Sequence, residues 1–308
     1  MSLKKLSLVL LSFVLVGGIL TARAEEPSAA QVAQLRAAAE KGDALAQCAL
    51  GECYAKGIGG LPKNYQQAVY WLRKAAEQGY AEAQNNLGWF YYNGWGVPKD
   101  YQQAVYWLRK AAEQGDATAQ NNLGWFYYNG WGVPKNYQQA AYWYRKAAEQ
   151  GDAKAQCNLG LCYANGWGVT KDDQQGVYWH RKAAEQGHAA SQAMLGAAYV
   201  EGIGGLPQDY KRAAELFRKA AEQGDAKAQA ILGAAYAEGR VVPQDYQQAV
   251  YWLRKAAEQG DATAQGTLGW CYYFGKGVEP DKEMAAHWFR KAAVQGNEYA
   301  QKALKELY

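Results

Sequence analysis

Side chains that carry out catalysis are scarce in this 308-residue sequence. It contains three histidines, and beyond residue 24 it contains two serines, Ser28 and Ser191. Neither serine begins a Ser-x-x-Lys motif, an arrangement that activates a serine nucleophile. His180, His188 and His287 fall in three different columns of the repeat described below, and no Cys-x-x-Cys, His-x-x-x-His or carboxylate cluster supports a metal site. We therefore expect no catalytic residue, no cofactor and no metal.

The five cysteines favour free thiols over disulfide bridges. Cys48 and Cys53, like Cys157 and Cys162, are five residues apart on one predicted helix, about 140° around its axis. Two thiols in that arrangement are poorly placed for a disulfide. The odd number leaves at least one thiol unpaired unless two chains pair. We interpret Cys53, Cys162 and Cys271 as small packing residues.

The chain has one long apolar run, the 15 residues from Leu6 to Leu20. It follows a basic start and precedes the small-residue motif Ala22-Arg23-Ala24. A membrane span needs about 20 apolar residues, so the pattern predicts a cleavable signal peptide over residues 1–24. We expect a periplasmic or secreted protein that begins at Glu25. The alternative is an uncleaved membrane anchor.

Charge of one sign is also lacking. The formal net charge is +4, and the predicted signal peptide holds three of the basic residues and no acidic one, which leaves +1. The remaining lysines and arginines are spread evenly along the chain. A nearly neutral chain without a basic patch is not expected to bind nucleic acid.

What the sequence does contain is a repeat of 36 residues. Seven copies cover residues 43–79, 80–115, 116–151, 152–187, 188–224, 225–260 and 261–296. A capping helix is predicted at each end, within residues 25–42 and 297–308. Such a period is typical of a solenoid, in which each copy buries its apolar face against its neighbours.

Each copy is predicted to form two helices. The first begins at a capping residue such as Asp116 and runs to about Asn129. A loop rich in glycine and proline follows. The second helix begins at a capping residue such as Asp100 and ends at Gly115, where glycine suits a left-handed C-cap.

One set of positions recurs in every copy with few exceptions and resembles a known family. In the second copy these positions are Ala83, Leu87-Gly88, Tyr91, Gly94, Gly96-Val97, Asp100, Ala104, Trp107, Lys110-Ala111-Ala112 and Gly115. The pattern is similar to the Sel-one-like repeat family, which is related to the tetratricopeptide repeats. The resemblance implies an all-α, right-handed superhelix of antiparallel helix pairs, with the first helices on its concave side. It also implies an interaction scaffold.

Some cysteine-rich members of that family are associated with β-lactam binding and hydrolysis. They usually pair a first-helix cysteine with one in the second helix. Here the second helix of the first copy has Ala75 and Ala76, and no second helix contains a cysteine. This departure argues against the disulfide-linked branch.

Comparison of the seven copies divides the first helix into a constant and a variable face. Constant positions such as Ala83, Gln84 and Leu87 fall within about 140° of the helix circumference, which predicts a packing face. Variable positions lie opposite, and in copies two and three they hold Asn, Trp and Tyr. The predicted ligand-binding residues are Asn85, Asn86, Trp89, Tyr92, Asn93, Asn121, Asn122, Trp125, Tyr128 and Asn129.

Trp and Tyr offer rigid apolar area, and Asn offers two donors and an acceptor. The alternative is recent duplication of one repeat, with solvated Asn and packed Trp. The corresponding positions in copies five and six are Ala193, Ala197, Ala230 and Ala234. The loop residues Trp95, Trp131 and Trp167 are a second place where a ligand could bind.

The second helices carry two constant columns. Trp107 recurs in six of seven copies, with Leu216 as the exception, and is expected in the core. Arg109 recurs in all seven, four residues before Glu113 in its own copy. That spacing predicts an ion pair on a solvated face.

These observations predict an exported scaffold that binds a protein or peptide segment in its concave groove. The alternative within binding is a glycan, which would stack on Trp and Tyr. An alternative of a different class is a hydrolase of cell-wall or β-lactam substrates, which the missing motifs disfavour.

Overall fold

The computed structural model describes residues 26–307, and the predicted signal peptide lies outside the described residues. Within that range every regular element is an α-helix, and there are sixteen. The seven first helices are α2 (Ala44–Lys56), α4 (Ala81–Asn93), α6 (Ala117–Asn129), α8 (Ala153–Asn165), α10 (Ala189–Glu201), α12 (Ala226–Glu238) and α14 (Ala262–Phe274).

The seven second helices alternate with them. They are α3 (Tyr65–Glu77), α5 (Tyr101–Glu113), α7 (Tyr137–Glu149), α9 (Asp173–Glu185), α11 (Tyr210–Glu222), α13 (Tyr246–Glu258) and α15 (Lys282–Val294). Helix α1 (Ala29–Glu40) precedes the first pair and α16 (Glu298–Leu307) follows the last. The predicted all-α repeat of helix pairs is therefore confirmed. None of these sixteen helices is long and apolar enough to cross a membrane.

The chain divides into two compact units, which are described separately. Unit 1 comprises the described residues through Ala155 together with Trp167–Val169. Unit 2 comprises residues 156–166 and those from Thr170 onward.

Local chemistry sets the ends of the helices. The Asp116 carboxylate accepts a hydrogen bond from the backbone N–H of Ala119 and caps α6, whose C-cap residue Gly130 has the left-handed conformation, φ 78°. The Asp100 carboxylate caps α5 by accepting from the N–H groups of Gln102 and Gln103 at 2.9 and 3.0 Å. These caps satisfy backbone donors that have no partner inside the helix.

The two helices of a pair pack closely because small residues line their contact. A Cβ added at Gly88 of α4 would lie 2.7 Å from Cγ of Leu108 in α5, closer than real contacts allow. Leu87, Ala104 and Leu108 are fully buried. The constant face predicted for the first helices is thus the packing face.

Glutamine side chains connect successive pairs. The Gln84 amide donates to the carbonyl of Ala76 at 3.0 Å and accepts from the Gln114 amide at 2.7 Å. In unit 2, Gln229 donates to Ala221 at 3.0 Å and accepts from Gln259 at 2.7 Å. Buried amides need such partners, which explains why this glutamine recurs in every copy.

The tryptophans of the second helices are core residues, as predicted. Their exposed fractions lie between 6 and 9% for Trp71, Trp107, Trp143, Trp179, Trp252 and Trp288. They pack mainly against apolar residues of the same and the preceding pair. Four of the buried apolar clusters each contain one such tryptophan ring.

The predicted ion pair between Arg109 and Glu113 is wrong. The Arg109 guanidinium instead donates to the Tyr127 hydroxyl at 2.9 Å, which lies in the next repeat. The same bond joins Arg73 to Tyr91 in unit 1 and, in unit 2, Arg218 to Tyr236 and Arg254 to Tyr272. A constant Tyr in the first helix gives the arginine a partially buried acceptor, and this contact links neighbouring repeats.

Candidate binding face

The ten predicted ligand-binding residues lie on α4 and α6, both in unit 1. Their exposure is uneven. Asn93 is exposed, and Asn86, Trp89, Tyr92, Trp125, Tyr128 and Asn129 are half-buried. Asn85, Asn121 and Asn122 are buried, with exposed fractions of 6, 8 and 6%. The outward orientation that motivated the prediction therefore applies to seven of the ten.

The asparagines bond mainly to the protein itself. The Asn122 amide donates to Oδ1 of Asn85 at 2.8 Å and so connects α6 to α4. The amides of Asn93 and Asn129 donate back to their own helices, to the carbonyls of Trp89 and Trp125 at 2.9 and 2.8 Å. These contacts give the asparagines a structural role, and their binding of a ligand stays a prediction.

Aromatic rings from α4, α6 and the following loop form one continuous cluster. The Trp89 and Trp125 ring centroids are 5.8 Å apart, and those of Tyr92 and Trp125 are 5.6 Å apart. The loop residue Trp131 lies 4.2 Å from Trp125, perpendicular to it at 82°, and 5.1 Å from Tyr92. We call these four half-buried residues, Trp89, Tyr92, Trp125 and Trp131, the aromatic face.

Trp131 was absent from the predicted set. It belongs to the face through its contacts with Trp125 and Tyr92, and it also stacks on Tyr101 at the start of α5, with centroids 6.0 Å apart and an angle of 15° between the rings. The Lys99 ammonium lies 4.8 Å from the centroid of Tyr101. The signal in the sequence was the recurrence of a loop tryptophan at Trp95, Trp131 and Trp167.

The Tyr128 ring pairs with rings outside the aromatic face. Its ring lies 5.2 Å from Tyr137 and 5.3 Å from Trp167, measured between centroids. This group repeats, one copy later, the contacts of Tyr92 with Tyr101 and Trp131. The ring of the following first helix is missing because Leu161 occupies the position of Trp125.

An acidic group adjoins the aromatic face on the side of α2. Glu52 occupies the position of Trp89 in the first copy, and its carboxylate accepts from Lys56 at 3.3 Å and from Asn86 at 3.1 Å. Burial raises the pKa of Glu52. Burial, together with the charge of Glu52, raises the pKa of Glu82 to about 7, although a 3.2 Å hydrogen bond from the Tyr80 hydroxyl opposes the shift. Sequence reasoning missed this group because the carboxylates belong to different columns of the repeat.

Among the residues considered for chemistry, Ser28 and His287 are exposed and His188 is half-buried. Ser191 is fully buried, and His180 lies against Gly160 with its pKa lowered to about 4 by burial. All five cysteines are buried and unbridged, and burial raises their pKa values. Between residues 26 and 307 there is no group of three or more His, Cys, Asp or Glu side chains that could hold a metal ion.

The helix pairs and the contacts between them define an all-α repeat protein, the class that builds α-solenoids. The profile of the Sel1 repeat matches residues 44–80, 81–116, 117–152, 153–188, 189–225, 226–261 and 262–297. The chain belongs to the Sel1 repeat family. Proteins built from these repeats generally serve as scaffolds for protein–protein interaction.

Two solved structures extend the comparison. A protective antigen of uropathogenic Escherichia coli strains that displays an SLR fold is 42% identical, with a TM-score of 0.76 over 90% of this chain and 59% of the antigen. A Sel1 repeat protein from Oxalobacter formigenes is 37% identical, with a TM-score of 0.72 over 91% of this chain and 80% of its own. This chain therefore spans less than two thirds of the antigen.

Among curated proteins, chitin synthase regulatory factor 3 of Schizosaccharomyces pombe is 43% identical over 53 residues. That match covers 17% of this chain and 6% of the regulatory factor. The likeness is confined to about one and a half repeats.

Proposed function

We propose that this chain is an interaction scaffold whose aromatic face binds a peptide segment of a protein partner. The observation that carries the proposal is a cluster of half-exposed rings at positions that the fold does not require to be aromatic. Trp89 and Trp125 correspond to Ala197 and Ala234 in unit 2, where the helix pairs keep the same glutamine contacts. Exposed aromatic clusters of this kind commonly mark binding surfaces.

The arrangement of the rings favours a peptide over a glycan. A sugar ring stacks on an open aromatic plane, but within this cluster ring edges cover ring planes, as Trp131 does at 82° to Trp125. Apolar side chains of a peptide can fit between tilted rings. Glycan binding remains the competing hypothesis and predicts recognition of oligosaccharides by the same residues.

A random peptide library displayed on phage tests the proposal. Peptides selected on the intact chain are expected to bind the Trp89→Ala/Trp125→Ala variant at least about 30-fold more weakly, since hot-spot rings contribute 2 kcal/mol or more. Ala197→Ser is the control in unit 2 and should leave the affinity unchanged. Selection of no peptide, or binding of oligosaccharides on a glycan array that the double variant abolishes, would contradict the peptide assignment.

We also propose that the protein acts outside the cytoplasm. The basis is the basic start, the 15-residue apolar run and the motif Ala22-Arg23-Ala24. Sequencing the amino terminus of the protein from its native host should give Glu25. A membrane-bound form that retains Met1 would contradict export as a cleaved protein.

The hydrolase alternative has a direct test. The Ser191 hydroxyl lies 3.1 Å from Nδ1 of His188, but Ser191 is fully buried and His188 serves as the N-cap of α10, so the purified protein should not open the β-lactam ring of nitrocefin. Turnover above the rate in buffer that survives repurification would restore the enzymatic alternative.

A further inference from the structure

The second helices of unit 1 carry a repeated exposed motif on a surface separate from the aromatic face. Tyr70, Tyr106 and Tyr142 are large side chains, and each is 47% exposed. They are found at the same position of α3, α5 and α7. Isolated exposed aromatics are ordinary, but three consecutive copies with the same exposure require an explanation.

Each tyrosine belongs to an identical triad. Tyr106 meets Trp107 edge to face, with centroids 5.0 Å apart, and the Lys110 ammonium lies 4.7 Å from the Tyr106 centroid and 5.4 Å from that of Trp107. The Tyr–Trp distance is 5.0 Å in the copy before and 5.1 Å in the copy after. The Lys–Tyr distance is 4.7 Å in the copy before and 5.0 Å in the copy after. Cation–π contacts therefore hold each ammonium at a defined place on the surface.

The triad of the first copy borders an open surface pocket of about 410 Å³. Tyr70, Arg73 and Lys74 line it from α3, and Gly96 and Val97 line it from the loop of the next repeat. The lining residues recur at the 36-residue spacing in copies two and three, except that Ala141 replaces Val69. We therefore infer an equivalent pocket in each of the three copies.

The chemistry of the lining selects an anionic occupant. The Lys74 ammonium has no acceptor capacity, and the Arg73 guanidinium uses one of its donors on the Tyr91 hydroxyl at 2.7 Å, which leaves others free. Glu77 also lines the pocket, so the charged lining sums to +1. A ligand that accepts hydrogen bonds and carries negative charge complements this lining.

A carboxylate on a peptide fits better than an acidic sugar. Stacking of a sugar needs a free tyrosine plane, and the lysine ammonium lies over that plane in each of the three copies of unit 1. A peptide carboxylate needs only the ammonium and guanidinium groups. We propose that the second-helix face of unit 1 binds an acidic segment of a protein partner, with one carboxylate in each of three equivalent pockets.

Unit 2 repeats the triad in copies four and six, where Lys182 and Lys255 lie 4.9 and 4.7 Å from the centroids of Tyr178 and Tyr251, but its fifth copy provides a natural control. In that copy Glu215 and Leu216 replace the tyrosine and tryptophan, while Lys219 remains exposed at the position of Lys110. Lys219 therefore has the same charge as Lys110 but lacks the triad. A purely electrostatic attraction to the whole protein would treat the two lysines alike.

The test uses fluorescein-labelled deca-glutamate and fluorescence anisotropy on the full-length mature protein. Binding should weaken as salt increases. Lys110→Gln should weaken it about threefold and Lys74→Gln/Lys110→Gln/Lys146→Gln at least tenfold, whereas Lys219→Gln should change it less than 1.5-fold. These side chains are exposed, so the variants should keep the fold, and thermal melts check this.

Three results would overturn the proposal. One is the absence of deca-glutamate binding by the unmodified protein at millimolar concentration. Another is an equal loss from Lys110→Gln and Lys219→Gln, which would reduce the effect to net charge. The third is tighter binding of an alginate oligosaccharide of equal charge, which would assign the face to acidic glycans.

Discussion

The first helices of copies two and three differ from those of copies five and six mainly on the variable face, and also at a buried position, where Ala198 and Ala235 replace Phe90 and Phe126. In copies two and three that face holds Trp89, Tyr92 and Trp125, half-buried against one another. In copies five and six the corresponding positions of the two tryptophans hold Ala197 and Ala234. The constant leucine is fully buried in both regions, as Leu87 and Leu232 show.

The comparison separates what the repeat needs from what this chain has added. Helix pairs assemble with alanine on the variable face, so aromatic rings there are not a condition of folding. The rings do pack on one another, and the Asn122 amide donates to Oδ1 of Asn85, which joins α6 to α4. The aromatic face therefore contributes to packing, and because the fold does not require its rings, they are available for binding.

The largest expected effect concerns what the two regions share. Trp107→Ala in α5 and Trp252→Ala in α13 should each lower the free energy of unfolding by about 3–5 kcal/mol, because each removes a buried ring and leaves a cavity. Denaturant unfolding measures both. A loss below about 1 kcal/mol in either variant would show that the second-helix tryptophan does not have the same core role in both regions.

The next effect should separate the regions. Trp125→Ala should cost less stability than Trp107→Ala, about 1–2 kcal/mol, since the ring is only half-buried. Its effect on the affinity of the selected peptides should be larger. A loss of stability equal to that of Trp107→Ala, with the affinity unchanged, would make the aromatic face part of the core.

A third effect is the pH dependence of copy two. Burial and Glu52 raise the pKa of Glu82 to about 7 from its usual 4.5, so the folded state binds more protons than the unfolded state between these values. The stabilisation from protonated Glu82 is complete below 4.5 and is lost as pH rises through 7. We expect this stabilisation to be about 1 kcal/mol, a value that already takes the partial exposure of Glu82 into account.

Glu82→Gln should remove that pH dependence and stabilise the protein at pH 8. The matched control is Lys227→Gln at the same position of copy six, where the side chain is exposed. Unfolding curves at pH 5 and pH 8 compare the variants. An unchanged pH dependence in Glu82→Gln would assign it to other groups.

The smallest effect tests the contacts between neighbouring repeats. Tyr127→Phe removes the acceptor of Arg109, and Tyr272→Phe removes that of Arg254. Each should cost about 0.5–1.5 kcal/mol, as ordinary hydrogen bonds do. If Glu113→Gln destabilised the protein more than Tyr127→Phe, the ion pair expected from the sequence would be the stronger contact after all.

Periodicity in the sequence was sufficient to predict the helix pairs, their caps and the tryptophan core, and the resemblance of the recurring residues to a known pattern indicated the family. Those features depend on contacts that every copy repeats, so the residues that make them recur at the same position in each copy. The packing role of Leu87, Gln84 and Trp107 follows from their constancy, because one substitution would open a cavity or leave a polar group unpaired.

The tertiary structure alone decided which variable residues are accessible. Asn85 and Asn122 lie on the variable face of their helices, yet the close approach of α4 and α6 buries them and joins their amides. Trp131 of the aromatic face stacks on Tyr101, and Arg109 donates to the hydroxyl of Tyr127 rather than pairing with Glu113. A helical wheel cannot show these outcomes, because each depends on the distance between two repeats and not on the angle within one helix.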